Sequence, residues 1–272
     1  MTSERSTPYR RPAWWRTALA IAYLVPVTLV LGSTAVLFSW VPPRGNLMVV
    51  LARVWSRGLL WISGVKVEAE VPASVDGRRG RVYLANHQSY FDIPALLVTL
   101  PGSLRFAAKR SLFRIPVFGW SLHAGGFIPV DRSDRSRARE VYKIAGRRLD
   151  AGASVLFFPE GTRSRDGRIG PFERGGFLVA LKAGAPIVPV GVSGTRRVLS
   201  RDSLKLASGT VQVRLGEPID SKQFGIRRRD ALMSRVRSEV VELSGEEDGA
   251  EAEVPSSASE ELTPVLGAPS ED

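Results

Sequence analysis

Two kinds of hydrophobic pattern divide the chain near residue 65. Before it, residues 17–43 form an apolar segment without a charged side chain, which exceeds the roughly 20 residues that an α-helix needs to span a bilayer. Residues 46–63 then place apolar side chains at helical spacing, with polar side chains between them. The pattern predicts an N-terminal membrane-embedded helical segment within residues 1–64.

The charges that flank the apolar segment do not fix its orientation. Four arginines precede it and three follow it, so the positive-inside bias is nearly balanced. A hairpin that returns to the same side of the membrane explains this balance, and the turn-prone sequence at residues 42–46 favours it. A single span is an equal alternative.

After residue 65, short apolar runs alternate with helical patterns, which is typical of an α/β fold. The predicted helices cover residues 133–149, 174–183 and 226–243. The strand-like runs are VKVEAEV, RVYLANH, LRFAAK, GGFIPVDR, SVLFFPEG, APIVPVGVSG and TVQVRLGEPI. The sequence therefore predicts an α/β domain over residues 65–244, built on a mixed, mostly parallel sheet flanked by helices.

Charge separates the end of the chain from the rest. Residues 245–272 contain nine acidic and no basic side chains and predict a disordered acidic tail. Residues 1–244 carry 38 basic against 18 acidic side chains, a net charge of +20. This positive charge predicts an anionic binding partner, which could be nucleic acid, an anionic membrane lipid surface or a phosphorylated substrate. No helix-turn-helix, zinc-finger or aromatic RNA-binding signature is present, so we predict no nucleic-acid partner.

Composition also narrows the chemistry. The chain has no cysteine and two histidines, His87 and His123. It therefore lacks zinc–thiolate and iron–sulfur ligands, a cysteine nucleophile and a three-histidine metal site. Nucleotide-binding glycine loops and the nucleophile elbow of hydrolases are absent as well. We predict neither a metal nor a resident cofactor, and we interpret His123, which has no carboxylate near it in sequence, as structural.

The segment after the second predicted strand pairs a potential base with a carboxylate. His87 and Asp92 are five residues apart, a spacing that would place them about 140° apart on a continuous helix. They can meet only if the residues between them fold as a loop. Pro94 indicates that a helix starts near Asp92, so the carboxylate is predicted at the helix N-cap, turned toward the imidazole. The pattern predicts a His–Asp dyad; alternatively Asp92 is only a cap and His87 a solvated loop residue.

Further polar side chains follow other predicted strands. Glu160 and Arg163 lie in FFPEGTRS, where glycine allows close backbone approach and arginine offers a planar fork to phosphate. Arg132 ends the strand-like run GGFIPVDR, and Lys109 follows LRFAA. Each alone could be a solvated surface residue or part of a surface salt bridge. Together they follow the carboxyl ends of strands, where open α/β sheets bind ligands.

Four sequence blocks in order resemble the glycerolipid acyltransferase family, and most closely its 1-acyl-sn-glycerol-3-phosphate acyltransferases. They lie within about residues 80–195, and the ordered set is far more specific than any one block. The blocks are NHQSYFD at 86–92, GFIPVDR at 126–132, FPEGTRS at 158–164 and IVPV at 187–190. Pro129 stands where a bulky residue is common in the family, and the acidic tail is not part of the family pattern.

The resemblance implies transfer of a fatty acyl group from acyl-CoA or acyl carrier protein to the sn-2 hydroxyl of lysophosphatidic acid. The product would be phosphatidic acid, and the catalytic domain would lie on the cytoplasmic face of a membrane. His87 would be the general base and Asp92 its partner. The implied substrate-binding residues are Arg132 and Arg163 for the acceptor phosphate, Glu160, Gly161 and Thr162 for the acceptor, and Pro189 for an acyl-side pocket; Lys109 is a further candidate from the strand pattern.

Two other functions remain open from the sequence. The acceptor could be another lyso-lipid or glycerol 3-phosphate, because the phosphate-binding residues would serve those acceptors too. The chain could also be a non-catalytic, membrane-anchored protein whose arginines bind anionic lipid. Assaying a panel of acceptors distinguishes lysophosphatidic acid from the other acceptors. Removing the charge of Asp92 distinguishes an enzyme from a protein that only binds lipid, because only the enzyme needs that charge.

Overall fold

The computed structural model describes residues 11–41, 45–131 and 138–249. Two helices begin the described chain, α1 (Trp14–Leu37) and α2 (Asn46–Ile62). They pack antiparallel: the Tyr23 hydroxyl donates to the carbonyl of Trp55 at 3.1 Å, and the Trp55 indole N–H donates to the hydroxyl of Thr28 at 3.0 Å. The N-terminal segment is therefore a helical hairpin.

The first helix lies against the rest of the protein at more than one point. At its start, the N–H of Ala13 donates to the carbonyl of Leu206 at 3.0 Å. Further along, Gly32 packs so closely on Val117 that an added Cβ would lie 3.0 Å from the valine side chain. By length and composition α1 could cross a membrane, and only 17% of its most apolar window is buried inside the protein, unlike the core helix of a soluble domain.

Within the described residues, seven strands form one sheet. Its order is β1-β7-β6-β2-β5-β3-β4; β6 and β7 are antiparallel and every other neighbouring pair is parallel. This confirms the predicted mixed, mostly parallel α/β sheet. The strands are β1 (Val65–Glu70), β2 (Val82–Ala85), β3 (Leu104–Lys109), β4 (Ile128–Val130), β5 (Ser154–Phe157), β6 (Ile187–Ser193) and β7 (Gly209–Leu215).

Helices cover both faces of the sheet. The alternating residues of β2 show this: Tyr83 and Ala85 belong to one hydrophobic cluster, whereas Val82 and Leu84 belong to the other. Because both faces are covered, the central strands are uninterrupted apolar runs, as expected for buried parallel strands. The remaining helices are α3 (Asp92–Thr99), α4 (Phe118–Gly125), α5 (Ala138–Asp150), α6 (Gly175–Ala183), α7 (Thr195–Val198) and α8 (Arg229–Ser244).

The beginning of the predicted acidic tail packs against the body of the protein. The N–H of Ile169 donates to the carbonyl of Glu247 at 2.9 Å, and the N–H of Gly249 donates to the carbonyl of Ile169 at 3.1 Å. The backbone of Glu247 and Gly249 is therefore held by the loop before α6 and is not part of a solvated tail. Residues 250–272, the rest of the predicted tail, lie outside the described residues.

Candidate active site

The two most informative sequence motifs emerge from neighbouring strands. Leu84 of β2 pairs in register with Phe157 of β5, so the loops that follow these parallel strands leave the sheet at the same edge. On the other side of β2, Asn86 joins its loop to β6. Its amide donates to the carbonyl of Val192 at 2.8 Å and accepts from the N–H of the same residue at 2.7 Å.

His87 and Asp92 are in direct contact. Nδ1 of His87 lies 2.7 Å from Oδ2 of Asp92, and the same oxygen accepts the backbone N–H groups of Gln88 at 2.7 Å and Ser89 at 2.9 Å. The aspartate side chain is fully buried, whereas the histidine side chain is 14% exposed. With Nδ1 facing the carboxylate, Nε2 is the nitrogen left to accept a proton.

The aspartate holds this position from the first turn of α3. The N-cap residue is Phe91 and Asp92 is the first helical residue, so the predicted N-cap position is wrong by one residue. The carboxylate turns back toward the loop instead of capping its own helix, because the loop offers three donors: Nδ1 of His87 and the N–H groups of Gln88 and Ser89. The positive end of the helix dipole also favours a carboxylate in this turn.

The loop after β5 holds His87 from two directions. The phenyl ring of Phe158 stacks on the imidazole with ring centroids 4.0 Å apart and planes 16° apart. The N–H of Ser164 donates to the carbonyl of His87 at 2.8 Å. Ring plane and backbone are thus both fixed by residues of the FPEGTRS motif.

Glu160 joins this arrangement through its two carboxylate oxygens. Oε1 accepts the backbone N–H of His87 at 2.6 Å, and Oε2 accepts the N–H of Gly170 at 3.0 Å. Burial raises the pKa of Glu160 to about 7, an effect larger than the opposing one of the two N–H donors. The resemblance implied that Glu160 binds the acceptor; in the structure each of its carboxylate oxygens already accepts a backbone N–H.

A basic cavity of about 590 Å³ lies next to Glu160. His87 does not border this cavity; Glu160 and Ser164, which both hydrogen-bond to the backbone of His87, border it and connect the two. Arg163 has its guanidinium 3.7 Å from the ring centre of Tyr90, and its carbonyl accepts from Arg201 at 2.7 Å. The residues that border the cavity include Thr162, four arginines (Arg163, Arg165, Arg168 and Arg201) and two acidic residues (Glu160 and Asp166).

The other residues of the predicted site are spread more widely. Gly161 has a φ of 72°, a left-handed conformation that favours glycine. Pro189 is buried within β6 and does not border the basic cavity. Lys109 is exposed at the end of β3, with β5 between that strand and β2. Arg132 lies outside the described residues; β4, which precedes it, is the edge strand of the sheet.

Some residues of the site gave little signal in the sequence. Asn86, Tyr90 and Phe158 lie inside the recognised motifs, but nothing in the motifs shows that they join strands or stack. Arg201 has no motif around it. Across the described ranges, no three acidic or histidine side chains are grouped to hold a metal ion.

Known proteins match this chain in sequence and in fold. A family model described as Acyltransferase matches residues 65–193. The 1-acyl-sn-glycerol-3-phosphate acyltransferase of Escherichia coli is 32% identical over 226 residues, which cover 82% of this chain and 89% of that protein. The chloroplastic enzyme BAT2 of Brassica napus, with the same activity name, is 40% identical over 162 residues, 59% of this chain and 45% of the plant protein. This chain thus spans less than half the length of the plant relative.

The fold has a counterpart among crystal structures. The 1-acyl-sn-glycerophosphate acyltransferase PlsC from Thermotoga maritima superposes with a TM-score of 0.71 at 24% sequence identity. The superposition covers 85% of this chain and 95% of that one. At that identity the likeness establishes a shared fold.

Proposed function

The chain belongs to the acyltransferase family that includes the 1-acyl-sn-glycerol-3-phosphate acyltransferases, and from this premise we propose that it acylates the sn-2 hydroxyl of 1-acyl-sn-glycerol 3-phosphate. The donor is an acyl thioester, acyl-CoA or acyl carrier protein, and the product is phosphatidic acid for phospholipid biosynthesis. The observation that carries the proposal is the 2.7 Å contact between His87 Nδ1 and Asp92 Oδ2. It leaves Nε2 ready to take a proton from an alcohol.

In the proposed reaction the acyl group passes directly from the thioester to the hydroxyl. Nε2 of His87 takes the proton of the 2-hydroxyl as the oxygen attacks the thioester carbonyl carbon. The new C–O bond forms and the C–S bond breaks, and the leaving sulfur receives the proton back from the imidazolium. Asp92 stays ionised throughout, orients the ring and stabilises its positive charge. This route uses no metal and no acyl–enzyme intermediate.

The basic cavity supports binding of the acceptor phosphate close to this base. Arginine binds phosphate through two parallel N–H donors, and the stack on Tyr90 holds the guanidinium of Arg163 in one plane. In lysophosphatidic acid only two carbons separate the 2-hydroxyl oxygen from the phosphate ester oxygen. A phosphate on Arg163 would therefore keep the hydroxyl near His87. Arg132, Gly161, Thr162, Pro189 and Lys109 stay predictions as further substrate-binding residues.

We place the protein at a membrane, with the catalytic domain on the cytoplasmic face. The helical hairpin carries exposed large apolar side chains, among them Trp40 and Trp61, which are 70% and 82% exposed. Indole rings favour the boundary between water and lipid. Contacts of α1 with the α/β domain at Ala13 and Gly32 favour a hairpin seated in one leaflet over a single span. Each basic residue near an anionic leaflet adds about 1 kcal/mol of attraction.

An acceptor panel tests the proposal. The full-length protein, purified in detergent and returned to lipid vesicles, is incubated with acyl-CoA or acyl carrier protein. The acceptors are 1-acyl-sn-glycerol 3-phosphate, glycerol 3-phosphate and lyso-lipids without a phosphate monoester. We expect phosphatidic acid, detected by mass spectrometry, and at least about a 100-fold loss of rate in His87→Ala. Preferred acylation of a different acceptor would contradict the assignment, as would absence of any acylated product.

A further inference from the structure

A segment after the last helix reaches back toward the active-site loop. We call residues 245–249 the C-terminal strap. Its backbone pairs with Ile169 on both sides: Ile169 donates to Glu247 at 2.9 Å, and Gly249 donates to Ile169 at 3.1 Å. The side chains of Arg168 and Glu247 add an ion pair at 3.0 Å. The strap thus holds the loop that leads from the FPEGTRS motif to α6.

Arg237 of α8 fastens the same loop from the side. Its guanidinium donates to the carbonyl of Ile169 at 2.7 Å and to the carbonyl of Gly170. It also binds the carboxylate of Asp248 in the strap, with Nε 3.1 Å from Oδ2. The arginine side chain is only 13% exposed. One planar fork therefore joins the helix, the loop and the strap.

The loop held by Arg237 is the one that supports Glu160. The N–H of Gly170 donates to Oε2 of Glu160, and Oε1 of Glu160 accepts the backbone N–H of His87. A continuous series of hydrogen bonds thus connects Asp248, Arg237, Gly170, Glu160 and His87. Every link in the series is a direct contact between neighbouring members.

We propose that Arg237 is a positioning residue that acts through Gly170 and Glu160 to hold His87 in place for acyl transfer. This inference rests on the proposed function, since His87 is the base there. Without the guanidinium, the carbonyl of Gly170 loses this donor, the carbonyl of Ile169 keeps the N–H of Gly249 but loses the arginine, and Asp248 loses its ion pair with Arg237. The loop can then move away from Glu160, and a shift of about 1 Å at a catalytic group can cost about 100-fold in rate.

The test compares Arg237→Ala with a matched arginine on the same helix. Arg235 is 54% exposed and pairs with Glu239, so Arg235→Ala removes an arginine of α8 without touching the loop. In the full-length protein we expect Arg237→Ala to lower kcat by about 10-fold or more. The KM for the acyl donor should change less than about twofold, because in the proposed function the cavity that this loop borders binds the phosphate of the acceptor. Arg235→Ala should match the wild type in both.

A double-mutant cycle tests the order of the links. If Arg237 acts through Glu160, the variant Arg237→Ala/Glu160→Gln has the same kcat as Glu160→Gln alone. Losses that multiply would overturn the proposal. Arg237→Lys keeps the charge but lacks the planar fork, so its kcat should lie between those of the wild type and Arg237→Ala. If Arg237→Ala does not fold, the kcat of Arg237→Lys tests the proposal. A kcat equal to that of the wild type in Arg237→Lys would overturn it.

Amide hydrogen exchange gives a readout that does not need activity. In Arg237→Ala we expect faster exchange in peptides that cover Gly170 and His87, and no change in Arg235→Ala. Unchanged exchange at His87 would overturn the positioning role even if kcat falls. If the wild-type protein shows no acyl transfer, the proposed function fails, whereas the exchange experiment still reports whether Arg237 holds the loop and His87.

Discussion

The carboxylate of Glu160 accepts the backbone N–H of His87 at 2.6 Å, although the two residues are 73 positions apart in the chain. A motif that sequence alone assigns to substrate binding therefore also supports the loop of the proposed base. The second carboxylate oxygen holds Gly170 at 3.0 Å. Glu160 thus links the histidine loop to the loop that Arg237 and the C-terminal strap hold.

The pKa of Glu160 predicts how stability depends on pH. Burial raises this pKa from its ordinary value of 4.5 to about 7 in the folded protein, so the folded state holds the proton more tightly than the unfolded chain. The resulting stabilisation is complete below about pH 4.5 and is lost as the pH rises to about 7. As the pH rises between those values, the free energy of unfolding of the wild type should fall by about 2 kcal/mol, a value that allows for screening at the partly exposed side chain. The free energy of unfolding of Glu160→Gln should not show this fall.

Denaturant unfolding at several pH values measures this difference. Glu160→Gln should be less stable overall, because the two backbone N–H groups bind different carboxylate oxygens and the amide replaces one of these with an NH2 donor, but its pH dependence should be flatter. The exposed Glu173 provides a matched control, since Glu173→Gln makes the same change without burial. Parallel pH curves for the wild type and Glu160→Gln would contradict the raised pKa.

The charge of Asp92 separates catalysis from lipid binding alone. In Asp92→Asn we expect acyl transfer to fall by at least about 100-fold, because a neutral amide stabilises the imidazolium poorly and can favour the wrong tautomer. Binding to anionic vesicles should stay at the wild-type level, since the fully buried side chain cannot reach a membrane. Kinetics and vesicle sedimentation of the same preparations measure the two effects.

Asp150→Asn is the control for this experiment, because Asp150 is an exposed residue at the end of α5. It makes the same chemical change and should leave both measurements unaltered. Full acyl transfer by Asp92→Asn would remove the dyad from the mechanism.

Arg163 is predicted to act on the acceptor. Charge-assisted hydrogen bonds contribute about 1.5–3 kcal/mol, so Arg163→Ala should raise the KM for lysophosphatidic acid by about 10- to 100-fold. Arg163→Lys should recover part of this loss, because it keeps the charge but loses both the planar fork and the stack on Tyr90. The KM for the acyl donor should hardly change in either variant.

Steady-state kinetics with one substrate varied at a time distinguish these constants. Arg147, exposed in the last turn of α5, supplies the control variant Arg147→Lys, for which we expect wild-type constants. An unchanged acceptor KM in Arg163→Ala would assign the phosphate to other residues.

Asn86 should matter for stability as well as for rate. Its fully buried amide makes two hydrogen bonds to the backbone of Val192 in β6. Asn86→Ala leaves a buried N–H and a buried carbonyl without partners, at a cost of about 1–3 kcal/mol each. We expect a lower thermal midpoint together with a lower kcat, because the loop that starts at His87 is no longer joined to β6. A thermal midpoint equal to that of the wild type would show that another contact holds the loop.

Much of the architecture could be predicted because strands and helices follow from the order of apolar and polar residues over short stretches of the chain. The strand-like run RVYLANH became β2 and SVLFFPEG became β5, since uninterrupted apolar residues indicate strands covered on both faces. The ends of the elements are predicted less exactly: Asp92 is the first residue of α3 and not its N-cap. A shift of one residue is expected where propensities of neighbouring positions are similar.

Long-range contacts were beyond this reasoning. Near the start of the predicted tail, the backbone of Glu247 and Gly249 pairs with Ile169, because hydrogen-bond partners there outweigh the tendency of acidic sequence to stay solvated. Likewise, Arg237 looked like any charged residue of an amphipathic helix. Its partners, the carbonyls of Ile169 and Gly170, are 68 and 67 positions away.

The sequence by itself determined the strands, most of the helices, the α/β class and the four motifs, since periodicity and turn residues act over a few neighbouring positions. It did not indicate the short helices α4 and α7. Only the tertiary structure decided the strand order, which places β2 between β5 and β6 and leaves β4 at the edge. That order brings His87, Phe158 and Glu160 together. The physical reason is that a local pattern records which side of an element is buried, whereas the element that buries it depends on how the whole sheet packs.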